Sequence, residues 1–232
     1  MLLQIDTAAA LDTMMTATEE IAVQQPEALS FMDLLLKGGW IMLPLGLLAL
    51  IGLVIFFERY LTIRKATQHE KDLMPQVKKS ILSGKLESAI AICRNSNTPL
   101  GRMLQKGLLR IGRPIKDIEG AIENVGKLEV SRLEKNINIL GIIAGIAPML
   151  GFVGTIIGVI AIFHEVELEG VINIGTVSGG LYVKMVSSAT GLVIGIIAYI
   201  GYHILNMMVD RIILRMENDA VEFIDLLEEP IN

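Results

Sequence analysis

Residues 137–163 read INILGIIAGIAPMLGFVGTIIGVIAIF and contain no charged side chain. A helix needs roughly 20 consecutive apolar residues to cross the hydrocarbon core of a bilayer, so this stretch predicts a membrane-spanning helix. Two further windows meet the same standard: GGWIMLPLGLLALIGLVIFF at 38–57 and MVSSATGLVIGIIAYIGYHILNMMV at 185–209. A buried helix of a soluble domain is the alternative for each, but all three exceed the usual length of about 11–12 residues. The composition agrees. Of the 232 residues 52% are hydrophobic and only 5% aromatic, with a mean hydropathy of +0.57, which is unlike an ordinary soluble domain. The fold class expected is all-α, a polytopic protein with three transmembrane helices.

Basic residues set the expected orientation. None occurs in 1–36 or in 164–183, whereas the stretch from Arg59 to Lys135 is rich in them, with TIRK just after the first span and SRLEK just before the second. Positive loops stay cytoplasmic and acidic residues weigh little. The chain therefore divides into a periplasmic segment 1–37, a first span 38–58, a cytoplasmic helical region 59–136, a second span 137–163, a periplasmic loop 164–184, a third span 185–209 and a cytoplasmic C-terminal helix 210–232. The N-terminal residues lack a basic region and are interrupted by Asp6 and Asp12, so they do not read as a cleaved signal. Phe31, Leu34 and Leu35 have the spacing of a short interfacial helix, and Trp40 suits the outer aromatic belt.

In KDLMPQVKKSILSGKLESAIAICR (71–94) Val77, Ile81, Leu82, Leu86, Ile90 and Cys93 keep a helical stripe, which NSNTPLG breaks. A second helix covers LGRMLQKGLLRIG, and a third starts at Asp117 as N-cap and runs without a breaker into span two, as far as Pro148. Val209, Ile213, Met216, Ala220, Ile224 and Leu227 carry span three past the membrane as one apolar stripe, of the kind that packs on a neighbour. Both spans thus extend into the cytoplasm.

Several function classes find no support. The net charge is −5 and no basic, aromatic-interleaved stripe exists, so no nucleic-acid partner is expected. Enzyme signatures such as a P-loop, GxSxG or HExxH are missing, so the chain does not read as an enzyme, and neither cofactor nor metal is expected. Cys93 stands alone and reads as a small buried apolar residue. His203 lies within span three without an acidic partner at its depth, which suits interhelical hydrogen bonding or, alternatively, a proton relay.

Spans two and three carry small residues four apart: Gly141 and Gly145, Ala147 and Gly151, Gly154 and Gly158, Gly191 and Gly195. Such ladders let helix backbones approach closely where lipid gives no hydrophobic drive for association. Their recurrence at several registers suggests more packed faces than three helices can bury, and hence an oligomer. Pro148 removes one backbone hydrogen bond and is expected to kink the helix, as membranes tolerate when neighbours satisfy the freed carbonyl. Thr155 lies about two turns further. With Ser187, Ser188 and Thr190 it would line a polar path if spans two and three face a central axis; bonding of each hydroxyl to its own helix is the alternative.

These residues match a known pattern. APMLGFVGTIIGVIAIF (147–163) resembles the AP-LLGLLGTV-GI signature of the MotA/TolQ/ExbB proton-channel family, and SSATGLVIGIIAYIGYH (187–203) resembles its TTAIGL-AAIPA-IAYN third span. FFERYLTIRKA and GKLESAIAICRNSNTPLGRML fit the family's layout, and the likeness covers about residues 35–215. It resembles most the ExbB/TolQ branch, with three spans rather than four. The resemblance implies a motor subunit of the bacterial inner membrane driven by the proton-motive force. Five copies would form a ring whose second and third spans enclose a pore. Within it would sit a dimer of a one-span ExbD/TolR-like partner bearing the protonatable Asp, and a TonB-like or TolA-like protein would receive the force. Thr155 matches the family's pore threonine, and Ser188 stands where the second motif has its hydroxyl. Three departures stand out. Val183, followed by Lys184, stands where the family often has Glu, the third-span proline is absent, and Thr190 replaces an apolar residue. The same plan also serves Tol, gliding and secretion motors, and a non-conducting scaffold would use the glycine ladders without needing Thr155 or Ser188.

Overall fold

The computed structural model describes residues 39–67, 72–172 and 174–228, and every regular element among them is helical. The chain runs α1 (Met42–Thr67), α2 (Leu73–Leu82), α3 (Leu86–Ser96), α4 (Pro99–Leu108), α5 (Ile115–Glu134), α6 (Ile137–Glu169) and α7 (Ile174–Glu228). Three helical runs are long and apolar enough to cross a membrane, which establishes an all-α membrane protein. The expected interfacial helix at Phe31, Leu34 and Leu35 lies outside the described residues.

Length explains the shape. At 1.5 Å per residue α6 is about 50 Å long and α7 about 80 Å, against a hydrocarbon core of about 30 Å. Both helices therefore project from the bilayer. The segment expected as the outer loop, 164–184, is helical up to Glu169 and again from Ile174, and the turn between is closed by Gly170 at φ 67°. Hydropathy measures solubility in lipid and is silent on whether a polar helix continues beyond it.

At the other end, α7 extends as a spine along which α2–α5 pack. Leu205, Val209, Ile212, Met216 and Phe223 of α7 are buried with Leu73, Met74 and Val77 of α2, Leu100, Leu104 and Leu108 of α4 and Ile118, Ile122 and Leu133 of α5. The buried stripe on α7 falls on Ile212 and Phe223, with Ile213 and Ile224 flanking it. Gly107 admits the tightest contact, since a Cβ there would stand 2.8 Å from Ile122 Cδ1 and 2.9 Å from Phe223 Cε1. Cys93 is buried, and burial pushes its thiol pKa up to about 11.

Three boundaries differ from the periodic reading. The stripe over 71–94 is two helices, parted at Gly84 with φ 69°, and Leu82 at the turn is exposed. The third helix starts at Ile115 after Pro114, with Asp117 in its first turn rather than at its cap. It does not run straight into span two: α5 stops at Glu134 and Asn136 adopts φ 64° before α6 begins. Asn tolerates the left-handed region better than most residues, so one residue redirects the chain without an apolar gap. α4 is the best-signalled start, because Thr98 accepts the Gly101 N–H at 3.1 Å with Pro99 at the first helical position.

Glu129 of α5 is buried, yet it accepts hydrogen bonds from Arg102 of α4 and Arg132 of its own helix. Its two oxygens are thereby satisfied and α4 is tied to α5. Glu129→Ala is expected to destabilise the detergent-solubilised protein by about 1–3 kcal/mol, measured by thermal unfolding. The exposed pair Lys127–Glu123 gives the contrast, and Lys127→Ala should leave the unfolding temperature close to that of the parent. Equal losses would overturn the assignment of the lock to Glu129.

Candidate functional site: the seam between α6 and α7

The glycines predicted as a packing ladder lie where α6 and α7 meet backbone to backbone. A Cβ on Gly191 would stand 2.5 Å from the Ala147 carbonyl and 3.1 Å from Gly151 Cα. One on Gly151 would stand 2.9 Å from the Ser187 carbonyl and 3.0 Å from Ser188 Cα. One on Gly195 would meet the Pro148 ring at 2.5 Å and the Ala144 carbonyl at 3.0 Å. The last contact falls beside the proline. Pro148 lies inside α6 without ending it, and Ala144, four residues back, has the carbonyl that proline leaves without its helical donor. Gly195 brings the α7 backbone against that carbonyl.

The other ladder glycines have different neighbours. Gly154 faces Ile41 and the Ser187 hydroxyl, Gly158 faces the side chain of Lys184, and Gly141 rests on the Tyr202 ring. Gly145 has nothing within 4 Å.

Of the hydroxyls, Thr155 Oγ1 donates across the seam to the Lys184 carbonyl at 3.0 Å, with a longer 3.3 Å contact to Gly151 O on its own helix. Ser187 Oγ reaches the same Lys184 carbonyl at 2.7 Å. Thr190 Oγ1 donates to Val186 O at 2.9 Å within α7. Ser188 is half-buried, and its hydroxyl makes no hydrogen bond among the described residues. The structure thus joins Thr155 to Ser187 through one carbonyl, sets Ser188 Cα against Gly151, and leaves Thr190 on its own helix. The sequence reading placed Ser187 among the hydroxyls of the lining but gave the family's second hydroxyl to Ser188; in the structure it is Ser187, 1% exposed, that shares the carbonyl with Thr155. Ser187, Gly191 and Gly195 form a small-residue ladder of their own, which is the signal that sets Ser187 apart from Ser188.

His203 is stacked edge-on between Tyr199 and Tyr202, with ring centroids 4.3 and 5.2 Å away. Arg59, at the end of the first span, is buried, bonds the neighbouring Glu58 at 2.8 Å and keeps its Nε without a partner. From Ile137 to Phe163 and from Met185 to Val209 there is no Asp or Glu. The two spans themselves supply no carboxylate to the seam.

Residues 95–218, more than half of the chain and the part that builds the seam, match the model of the MotA/TolQ/ExbB proton channel family. The chain belongs to that family. A biopolymer transport ExbB homolog from Methanothermobacter thermautotrophicus is 23% identical over 203 residues, spanning 87% of this chain and 69% of that protein. An ExbB-like protein from Synechocystis is 27% identical over 183 residues, 75% of this chain and 70% of its own length. The biopolymer transport protein ExbB of Helicobacter pylori is 34% identical over 71 residues, 31% of this chain and 49% of its length. Family membership and the seam fall on the same residues: the matched region opens in the last turn of α3 and closes in the α7 extension.

Gly191→Ala puts a methyl against backbone that has no rotamer to change, and is expected to cost about 1–3 kcal/mol of stability. Gly145→Ala enters open space and should leave the unfolding temperature of the solubilised chain within a degree or two of the parent. The reverse order of effects would show that the seam does not set the packing.

Proposed function

We propose that the chain is the ring subunit of a proton-driven motor of the ExbB kind, set in the inner membrane with its N-terminus periplasmic and its C-terminus cytoplasmic. Five copies surround a pore lined by α6 and α7, and a dimer of a one-span ExbD/TolR-like partner stands inside it. The observation that carries this reading is a polar node in carboxylate-free spans of a proton-channel family member: Thr155 and Ser187 gathered on the Lys184 carbonyl. A protonatable group must then be supplied in trans, and a partner carboxylate fits that need. Proton binding from the periplasmic side neutralises it, release to the cytoplasmic side restores its charge, and the alternation turns the partner within the ring. This chain acts as the stator that holds the hydroxyls and sets the geometry. A TonB-like or TolA-like protein carries the force outward, the TonB-type system standing first and the Tol, gliding and secretion motors as alternatives; the biopolymer transport ExbB names of the relatives support the ExbB kind.

One observation favours a second reading, a non-conducting scaffold. Thr155 and Thr190 both give their protons to backbone carbonyls of this chain, as ordinary helix contacts do.

Mass measurement of the complex drawn from native membranes through a tag on Asn232 separates the two. The motor predicts five copies with a one-span protein bearing an intramembrane Asp; a monomer or plain dimer supports the scaffold. Thr155→Val keeps volume nearly constant and removes the hydroxyl. It is expected to reduce coupled transport at least tenfold, with complex mass unchanged. Full activity in that variant ends the pore role of Thr155.

A further inference from the structure

Among the described residues, Lys184 is the one Lys or Arg at the seam. It is half-buried, and its side chain lies flat against Gly158: a Cβ at that glycine would overlap the Lys184 Cγ, Cδ and Cε positions. The missing Cβ therefore provides the track along which the stem runs on α6, where a longer residue would turn it away. Gly158 is one turn from Thr155 on the same helix, and the backbone carbonyl of Lys184 is the one that holds Thr155 and Ser187. The ammonium makes no ion pair or hydrogen bond among the described residues, unlike Lys78, which pairs with Glu222, and Lys127, which pairs with Glu123. No carboxylate occurs in either adjoining span to neutralise it.

Lys184 is the last residue before the third span, at the outer mouth of the seam, and a charge beside the spans with no counter-ion in either of them points to a functional position. From this placement we infer that Lys184 is the specificity-determining residue of the conduction path, the fixed cation that closes the Thr155 locus to metal ions. The inference rests on the channel reading and names its ion filter. A sodium ion shedding water at Thr155 would need oxygen ligands, as hard cations do. The nearest carbonyl already accepts two hydroxyl protons, and the ammonium repels a second positive charge. For two unit charges roughly 6–10 Å apart in a medium of intermediate polarity, such repulsion lowers the local occupancy of a monovalent cation by roughly 10- to 100-fold. A proton crosses as part of a neutral carboxylic acid on the partner, transferred from water to the carboxylate and back to water, so the same field does not bar it. Fixed charges lining pores select ions by this means elsewhere. The competing role is a snorkelling lysine, whose head simply reaches the headgroup layer; it predicts no change in selectivity.

The test uses the purified complex with its native partner, reconstituted in liposomes of neutral lipid, with proton uptake and radiolabelled sodium uptake measured in parallel. The wild type is expected to take up protons with no sodium above empty vesicles. Lys184→Met should raise the sodium-to-proton uptake ratio at least tenfold, and Lys184→Arg should keep the ratio low. Gly158→Ala, which dislodges the stem and keeps the charge, should raise the ratio by a smaller factor, and it decides the matter if Lys184→Met fails to assemble. Proton conduction with an unchanged ratio in the assembled variants overturns the filter and leaves the channel reading standing. A wild-type complex that carries neither ion overturns both.

Discussion

The structure depends on the direct approach of the α6 and α7 backbones at Gly151, Gly191 and Gly195. In lipid no hydrophobic gain draws two apolar helices together, so contact has to come from close van der Waals packing, which small residues permit. Three features follow from that single approach. Thr155 comes within bonding distance of a carbonyl 29 residues away. The Lys184 stem finds its track on Gly158, and the carbonyl freed by Pro148 meets the bare backbone of Gly195. A larger residue at any of the three glycines would separate all of these at once.

The two ends of the molecule are held by different forces, and α7 belongs to both. Within the spans the outward faces are apolar and open, as at Leu43, Phe152 and Ile197, because lipid is their solvent. Around α2–α5 water is the solvent, and burial of Phe223, Leu104 and Ile118 stabilises the assembly, with Glu129 fixing α4 on α5. A continuous helix of 55 residues links the regions as a stiff rod. On the proposed reading, such a rod suits a stator that must resist torque.

The three spans, the helical class and the projection of α7 were legible in the sequence, since apolar length and a 3.6-residue period register them directly. The breaks were not. At Asn136 a single left-handed residue changes direction while Leu133 and Ile137 keep helical spacing, and at Gly84 the stripe resumes almost in phase, so the pattern carries no gap. The site was legible by residue type but not by partner. Thr155 stood out as a hydroxyl among apolar neighbours, yet its acceptor depends on the register between two helices, and that register is set by contacts such as Gly151 with Ser187, which no period within one helix encodes. Lys184 entered the sequence reading only as a departure from the family pattern; its significance needed the Gly158 contact.

On the channel reading, the committed hydroxyl of Thr155 and the unbonded hydroxyl of Ser188 divide the labour that a protonatable carboxylate needs. Thr155 has committed its proton to the Lys184 carbonyl, so toward a third party it can only accept. A hydroxyl oxygen keeps two lone pairs when its proton is donated, and an acceptor suits the O–H of a neutral carboxylic acid or of water. Ser188, with no bond among the described residues, keeps its proton and can donate to a carboxylate. One residue thus complements the protonated form and the other the ionised form, and the backbone approach at Gly151 fixes the two within the same stretch of the seam. On the channel reading, the alternation of charge on a partner carboxylate is matched by two hydroxyls of opposite hydrogen-bonding sense, and the internal bond of Thr155 is then compatible with a place in the pore.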